Sequence, residues 1–276
     1  IGVENIVIAQ NKIDLVDREQ AVRNQREIES FVEGTVAEDA PIVPISAQQE
    51  VNMDLLVGAI ESEIPTPDRD ESRPARMFVA RSFDINRPGT TWEDLKGGVV
   101  GGSLVQGELS VGDALELRPG REVEEGGRSE WTSIETEVRS LQAGGRGVET
   151  ARPGGLLGVG TGLDPSLTKG DALAGQLAGE PGTLPPVHHE FEMGVELLDR
   201  VVGDAEGEGV DDITTGEPLM LTVGTATTVG AVTSARAGEA EVQLKRPVCA
   251  EPGVKIAINR RVGARWRLIG IGTLRE

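Results

Sequence analysis

The apolar positions near the start of the chain form two short unbroken runs, at residues 6–9 and 41–45. Isoleucine and valine dominate both runs, and polar residues do not alternate with them. Such runs are typical of buried parallel strands, which are covered on both faces.

The apolar positions between and after these runs recur at helical spacing. Asp17 and Gln20 have the spacing of a capping box, with Asp17 as the N-cap, and Gly34 can end that helix. Asn52 can cap a second helix. The predicted buried faces comprise Ala21, Gln25, Ile28, Phe31 and Val32 in the first helix and Leu55, Leu56, Ala59 and Ile60 in the second. This β-α-β-α order predicts the closing part of a doubly wound sheet.

Helical spacing ends at residues 65–74, where proline and charged residues predict a stiff linker. Beyond it, short strands separated by glycine turns predict small closed β-barrels. The strands are predicted at residues 75–83, at three places within 97–117, at 131–141 and 155–160, from 187 onward, and at 220–223, 231–235, 239–244, 254–259 and 266–274. Residues 122–128 are predicted as a hairpin tip, 179–183 as a boundary and 203–212 as an acidic loop.

The predicted fold class is therefore α/β plus all-β. Residues 1–68 form the α/β part, residues 74–182 a first barrel and residues 187–276 a second barrel. Because the chain opens at Ile1, almost directly in a strand, we expect a further N-terminal part to precede it.

The charge balance is strongly acidic, with 46 Asp and Glu against 27 Lys and Arg, a net charge of −19 and a pI of about 4.6. An acidic partner-binding patch is one explanation; a surface adapted to high salt fits better, because the acidic residues are scattered and lysine and aromatic residues are rare. The only cysteine, Cys249, excludes a disulfide within the chain, fits a cytoplasmic setting and suits a small core filler. We find no apolar run long enough for a membrane span and no signal peptide.

Two polar segments directly follow the two predicted parallel strands. The first is Asn11-Lys12-Ile13-Asp14 and the second is Ser46-Ala47-Gln48. Ligands bind at the carboxyl ends of strands in open α/β sheets, so we expect these segments to share one site. The plain alternative for each is a polar turn after a strand.

The residue types in these segments suit a guanine base. The Asp14 carboxylate can accept from guanine N1–H and N2–H₂, whereas adenine offers neither donor and would leave the carboxylate unpaired. The Lys12 stem can lie on the base, Asn11 can tie the loop to neighbouring segments, the Ala47 N–H can meet O6, and Ser46 can brace the loop around Asp14. The predicted guanine-binding residues are Asn11, Lys12, Ile13, Asp14, Ser46, Ala47 and Gln48.

Longer strings in the barrels carry a more specific resemblance. They lie at residues 81–90 (RSFDINRPGT), 95–103 (LKGGVVGGS), 162–169 (GLDPSLTK), 198–203 (LDRVVG) and 246–248 (RPV). With the guanine motifs, they make the chain resemble the translational GTPases, and among them the gamma-subunit family of archaeal translation initiation factor 2. The resemblance implies a P-loop GTPase-type domain, here its C-terminal part, followed by two β-barrels.

The resemblance also implies function and partners. Members of that family bind GTP with Mg²⁺, hydrolyse GTP, carry methionylated initiator tRNA to the small ribosomal subunit, and hold alpha and beta subunits. It places Arg118, Gly154 and Gly155 at the tRNA pocket and residues 84–90 at the alpha subunit. We therefore expect no membrane partner.

The chain departs from the family pattern in one respect, because it contains no Gly-x-x-x-x-Gly-Lys-Ser/Thr phosphate loop. The switch regions and the Mg²⁺ ligands are expected upstream, so no catalytic residue is assigned here. Hydrolysis is expected of the intact protein and not of this chain alone. The alternative is a non-hydrolysing interaction module whose barrels serve protein assembly only.

Two further clusters have open interpretations. His188-His189-Glu190 suggests a metal ligand set, but adjacent histidines point opposite ways on a strand, so we predict a solvated strand start and no metal site. One region of the chain is locally basic. Its arginines either form ion pairs with the acidic surface or contact an RNA backbone. Its members are Arg246, Arg260, Arg261, Arg265 and Arg267.

Overall fold

The computed structural model describes residues 3–199 and 209–275. Its contacts divide the chain into two compact units, Gly2–Asp68 and Arg69–Glu276. No helix among the described residues is long and apolar enough to cross a bilayer.

The first unit has the predicted β-α-β-α order. Its elements are β1 (Ile8–Gln10), α1 (Arg18–Val32), β2 (Ile42–Pro44) and α2 (Met53–Glu63). The two strands pair in parallel, with Ile8 opposite Ile42. The prediction of parallel strands is therefore confirmed, although β1 begins two residues later than predicted.

The two helices begin in different ways. Asp17 Oδ1 accepts a hydrogen bond of 2.8 Å from Gln20 N, so the predicted N-cap of α1 is confirmed. Asn52 makes no cap hydrogen bond to α2. Its Nδ2 instead donates to the Pro44 carbonyl oxygen at 2.8 Å, which ties the start of α2 to the end of β2.

The predicted buried faces of the helices are partly wrong. Val32 is buried, but Phe31 of α1 is 68% exposed, and Leu55 and Ile60 of α2 are 58% and 41% exposed. The reason is the small size of the sheet in the described unit, because two strands of three residues each cover only part of two helices.

The first barrel contains nine strands. They are β3 (Arg76–Phe83), β4 (Val99–Gln106), β5 (Leu109–Ser110), β6 (Ala114–Glu125), β7 (Arg128–Ala143), β8 (Arg146–Val148), β9 (Thr150–Ala151), β10 (Leu157–Thr161) and β11 (Leu177–Gly179). Six of them close a ring in the order β10-β4-β3-β11-β6-β7, with β7 pairing back onto β10. β8 adds to β7, and β5 pairs with β9. The interior contains Met77, Val79, Val100, Leu104, Leu115, Leu117, Val138, Leu141 and Val159.

Glycine permits the close approach of two strands in this barrel. A Cβ atom on Gly102 of β4 would lie 1.8 Å from the carbonyl oxygen of Phe78 on β3. The glycine-rich stretch at residues 97–102 therefore belongs to strand packing, as its place between predicted barrel strands indicated.

Three details of the first barrel differ from prediction. β6 and β7 extend to Glu125 and Arg128, so the turn is only Gly126-Gly127, both with positive φ, and the longer predicted tip was wrong. The short strands β8, β9 and β11 were not predicted, because no apolar run or alternation marks these two or three residues. β11 includes Gly179, which the sequence had suggested as part of a boundary.

Among the described residues, the second barrel has six strands. They are β12 (Val187–Leu197), β13 (Pro218–Val223), β14 (Ala226–Arg236), β15 (Glu239–Cys249), β16 (Lys255–Val262) and β17 (Arg265–Leu274). They close in the order β12-β15-β14-β13-β16-β17 around an interior that includes Met193, Leu219, Leu221, Val242, Ile256, Ile258 and Ile269. The fold class is thus confirmed. Of the predicted acidic loop at residues 203–212, residues 203–208 lie outside the described residues.

The two barrels contact each other within the second unit. Arg76 Nη1 of the first barrel lies 2.8 Å from Glu251 Oε1 after β15. Cys249 Sγ donates to the Pro185 carbonyl oxygen between the barrels at 3.2 Å. Cys249 is therefore a partly exposed residue near the junction and not the predicted core filler. Burial raises the pKa of its thiol to about 12.

Candidate functional site

The candidate site lies where β1 and β2 end. Ile45 N donates to the Gln10 carbonyl oxygen at 2.8 Å, and Ile13 N donates to the Ile45 carbonyl oxygen at 3.2 Å. These bonds extend the parallel pairing into the two following segments. The Asn11–Asp14 and Ser46–Gln48 segments are consequently adjacent, as their position after parallel strands predicted.

Asn11 joins the two segments through its side chain. Its Oδ1 accepts from Lys12 N at 2.7 Å and from Ala47 N at 3.1 Å. Lys12 adopts the left-handed conformation with φ of 69°. The prediction that Asn11 ties the loop to a neighbouring segment is confirmed, and the Ala47 N–H lies at the seam between the loops.

Ser46 supports the second loop from within. The residue is 0% exposed, and its Oγ accepts from Gln49 N at 3.2 Å. Its backbone also exchanges hydrogen bonds with Val51, at 3.2 and 3.0 Å. Ser46 thus braces the turn that follows it, whereas the sequence had suggested a brace for the loop around Asp14. Gln48 is exposed.

Asp14 and Lys12 present free charged groups. Both are exposed, and neither side chain has a hydrogen bond or ion pair within the described part of the chain. Asp14 lies in a single 3₁₀ turn, Ile13–Leu15, that starts directly after the left-handed Lys12. An exposed carboxylate held on a short rigid turn is available to accept two parallel N–H donors.

Gln10 supports the first loop and was not singled out from the sequence. It is buried, and its Nε2 donates to the Ala21 carbonyl oxygen at 2.8 Å and to Asn24 Oδ1 at 3.1 Å. These bonds fix α1 against the end of β1. A polar residue at the last position of an apolar strand was the available signal.

A cavity of about 370 Å³ beside α1 is lined by Asn11 and other residues but not by Asp14.

The residues suggested for tRNA are spread over the first barrel. Arg118 Nε pairs with Glu116 Oε1 at 2.7 Å, and Arg118 Nη1 donates to the Leu184 carbonyl oxygen at 3.1 Å. Gly154 N donates to the Leu104 carbonyl oxygen at 3.3 Å, and Gly154 and Gly155 are exposed turn residues with positive φ. Arg118 and this turn share no hydrogen-bond partner among the described residues, so a common tRNA pocket stays a prediction.

The loop suggested for the alpha subunit is held at its base. Asn86 Nδ2 donates to the Lys96 carbonyl oxygen and Asn86 Oδ1 accepts from Lys96 N, both at 2.8 Å. Ile85 and Leu95 are each 47% exposed. Together with Lys96 they line a cavity of about 640 Å³ on the first barrel.

The two remaining clusters differ in their partners. His188 Nε2 lies 3.0 Å from the Ala250 carbonyl oxygen, whereas His189 is exposed. In the part of the chain that the structure describes, no three His, Cys, Asp or Glu residues form a group that could hold a metal ion. Arg260 pairs with Glu217, whereas Arg261, Arg265 and Arg267 have no carboxylate partner in the same part.

Solved structures with the same fold include translation elongation factors. A bacterial selenocysteine-specific elongation factor matches with a TM-score of 0.74 and 21% identity, over 99% of this chain and 40% of that one. SelB from Methanococcus maripaludis, in complex with a GTP analogue, matches with a TM-score of 0.74 and 20% identity, over 99% of this chain and 59% of that one. At such identities the likeness establishes the fold.

Sequence relatives are much closer. Translation initiation factor 2 subunit gamma from Halorubrum lacusprofundi is 79% identical over 99% of this chain and 67% of the relative. The subunits from Halobacterium salinarum and Methanothermobacter thermautotrophicus are 72% and 59% identical, each over 100% of this chain and 67% of the relative.

The first two of these relatives come from halophilic archaea. The family described as initiation factor eIF2 gamma, C terminal, matches residues 189–274. This chain belongs to the gamma-subunit family of translation initiation factor 2.

Proposed function

We propose that this chain binds and recognises the guanine base of GTP in the gamma subunit of translation initiation factor 2. The observation that carries the proposal is the hydrogen bond from Ala47 N to Asn11 Oδ1, which unites the two loops. Asp14 lies beside this seam on the same loop and is free of internal partners among the described residues. The membership of the chain in this family supports the same assignment.

Recognition of the base then rests on three groups. Asp14 accepts from N1–H and N2–H₂, the Lys12 stem packs on the ring, and the Ala47 N–H donates to O6 as a bifurcated donor that it shares with Asn11 Oδ1. Asn11 holds the Ala47 N–H in place, and Ile13, Ser46 and Gln48 shape the backbone around it. Adenine offers no donor to Asp14, so its binding would leave the carboxylate desolvated and without a hydrogen-bond partner. The affinity for adenine should therefore be at least several-fold lower than the affinity for guanine.

We further propose that the full-length protein hydrolyses GTP with Mg²⁺. The described residues contain no acidic or histidine cluster suited to a metal ion, so no residue of this chain is assigned to Mg²⁺ or to catalysis. The role of this chain toward the nucleotide is to bind and orient the base.

The proposed partners follow from the family. They are methionylated initiator tRNA, the small ribosomal subunit, and the alpha and beta subunits of the same factor, all in the cytoplasm. Arg118, Gly154 and Gly155 stay candidates for tRNA. Ile85 and Leu95 are exposed beside the two hydrogen bonds between Asn86 and Lys96. These exposed apolar side chains support residues 84–90 as a contact for the alpha subunit.

The test exchanges the acceptor that selects guanine. In the full-length protein, Asp14→Asn should weaken GTP binding by about 100-fold, because two charge-assisted hydrogen bonds are lost. The new amide can donate to the C2 oxygen of xanthine, so binding of xanthosine triphosphate should improve. Competition binding with GTP, ATP and xanthosine triphosphate measures both changes.

Asp54→Asn is the matched control, since Asp54 is an exposed aspartate of α2 outside the two loops. It should retain the preference for GTP. An unchanged preference in Asp14→Asn would remove Asp14 from the base site. Absence of guanine binding in the wild-type protein would favour an interaction module whose barrels serve assembly only.

A further inference from the structure

A groove of about 690 Å³ runs between the two barrels of the second unit. The first barrel contributes Arg121 and Trp131 to its walls, and the second contributes Lys245 and Arg246. The barrels touch directly beside it, because a Cβ atom on Gly175 would lie only 2.9 Å from Ala226 Cα. The groove is therefore a feature of the packed pair and not of either barrel alone.

The cations of this groove are not neutralised. Arg121, Lys245 and Arg246 are exposed, and none has a carboxylate partner among the described residues. Of the two carboxylates on the groove walls, Asp171 is occupied by Arg81 Nε at 2.8 Å and by a backbone N–H.

The second carboxylate, Glu122, accepts from Ser129 Oγ at 2.5 Å. Because the serine hydroxyl is neutral, Glu122 keeps its negative charge. Three unpaired cations around one cavity still outweigh this single carboxylate and create a local positive potential in a chain of net charge −19. The groove therefore favours an anionic ligand.

Trp131 indicates which class of anionic ligand suits the groove. The side chain is half-buried and lines the groove, so part of the indole is open to a ligand there. A flat aromatic face beside several cations is the combination that binds single-stranded nucleic acids, in which bases stack and phosphates pair with Arg and Lys. An acidic peptide would satisfy the cations but gain little from the indole.

We propose that the inter-barrel groove binds an unpaired RNA strand. Phosphates pair with Arg121, Lys245 and Arg246, and one base stacks on Trp131. The groove is a different surface from the one suggested for tRNA, because Arg118, Gly154 and Gly155 are not among the residues that line it.

The second barrel offers a matched control away from the groove. Arg261 and Arg265 on the β16–β17 hairpin are exposed and also lack carboxylate partners in the described part of the chain. Gly224 at the end of β13 packs against Phe78 of the first barrel. The register places Val223 opposite Ile256 and Leu219 opposite Arg260, so the hairpin turn lies at the far end of the barrel.

The experiment measures fluorescence anisotropy of a fluorescein-labelled oligouridylate with the full-length protein, over the KCl range in which circular dichroism shows folding. With three phosphate contacts, log affinity should fall with log salt with a slope of about −2. Arg121→Gln with Lys245→Gln should lower affinity at least tenfold and reduce the slope to about −0.7. Arg261→Gln with Arg265→Gln removes the same charge and should change neither. Because the sequence left an RNA-backbone role open for these two arginines, a loss of affinity in this variant would place the strand at the hairpin and overturn the proposal.

Stacking is tested separately at Trp131. Trp131→Phe should retain binding, whereas Trp131→Leu should lose about tenfold. Equal losses in the two double variants, or no loss in the groove variant, would overturn the proposal. So would an oligoglutamate peptide that binds as tightly as the oligouridylate, or displacement of the oligouridylate by initiator tRNA.

Discussion

At the scale of single residues, Asn11 shows how one side chain can assemble a site from distant segments. Its Oδ1 takes two backbone N–H groups, one from Lys12 and one from Ala47, which is 36 positions away in sequence. The same N–H of Ala47 is the donor proposed for guanine O6. Asn11 therefore controls the position of a group that it does not itself present to the base.

Glu116 is a buried carboxylate close to the connection between the two barrels. Its side chain is 4% exposed. Its Oε1 accepts from Arg118 Nε at 2.7 Å and its Oε2 from Gly182 N at 2.9 Å. Burial alone would raise the pKa of this carboxyl, but the bonds from Gly182 and Arg118 outweigh it and hold the pKa below the usual value of 4.5.

We predict that Glu116→Gln lowers the free energy of unfolding by about 2–3 kcal/mol near neutral pH, because an amide cannot accept from both donors with the same strength. A lowered pKa stabilises the fold above the ordinary pKa, and that contribution is lost as the pH falls through the lowered value. The difference between wild type and Glu116→Gln should therefore shrink in acid. Denaturant unfolding over a pH series measures it.

Arg81→Gln provides the control for this prediction. The Arg81–Asp171 pair has a similar distance of 2.8 Å, but its side chains are 69% and 40% exposed. Because solvent screens such pairs, its loss should cost much less free energy of unfolding than the loss of the buried Glu116 carboxylate. Equal costs for the two variants would contradict the role given to buried Glu116.

At the scale of elements, patterns of several residues were sufficient to predict the strands that build the site. β1 and β2 were predicted from apolar runs, and every strand of the second barrel overlaps a predicted strand. The short strands β8, β9 and β11 were missed, because their pairing depends on partners elsewhere in the barrel: β8 adds to β7, β9 pairs with β5, and β11 lies between β3 and β6. Local spacing contains no information of that kind.

The side chains of the site were harder to predict than its backbone. The adjacency of the two loops followed from parallel pairing, but the partner of Ser46 did not, because it depends on the path of the turn to Gln49. Asn52 has the residue type of a helix cap, yet its amide reaches the Pro44 carbonyl oxygen. Ser46 thus bonds within its own turn, whereas Asn52 bonds to the preceding strand instead of capping its helix.

The linker and the barrels should differ in their resistance to proteases. Residues 65–68 are in no helix or strand and are exposed or partly exposed. The β4 to β6 region is hydrogen-bonded on both sides of β4 and β6. We predict that limited proteolysis cuts first within residues 65–73 and separates residues 1–68 from the barrels.

Mass spectrometry of the first fragments decides this prediction. A first cleavage within residues 99–117 would contradict the barrel assignment at that place. Residues 74–182 and 187–276 should remain together after the first cut, because Arg76–Glu251 and the Arg118 contacts to Leu184 and Pro185 join the barrels and their connection.

At the scale of the whole molecule, charge dominates the behaviour in solution. The net charge of −19 spreads carboxylates over the surface, and only five lysines are present. At about 0.1 M salt the screening length is roughly 10 Å, so neighbouring carboxylates repel; at about 1 M it is roughly 3 Å. The halophilic sources of the first relatives agree with a surface that tolerates such repulsion.

We predict that the protein loses its folded structure in dilute buffer and regains it in molar potassium chloride. Circular dichroism across a potassium chloride series gives the midpoint of the transition. A fully folded spectrum in dilute buffer would contradict adaptation of this surface to high salt. The nucleotide measurements should accordingly be made in molar salt.

The most direct measurement is nucleotide-dependent binding of methionylated initiator tRNA by full-length Asp14→Asn protein in molar potassium chloride. If Asp14 selects the base, wild type should hold the tRNA with GTP, and the variant should hold it with xanthosine triphosphate but only weakly with GTP. A variant that still responds to GTP as wild type does, and ignores xanthosine triphosphate, would contradict the assignment of the Asn11–Asp14 loop as the guanine reader.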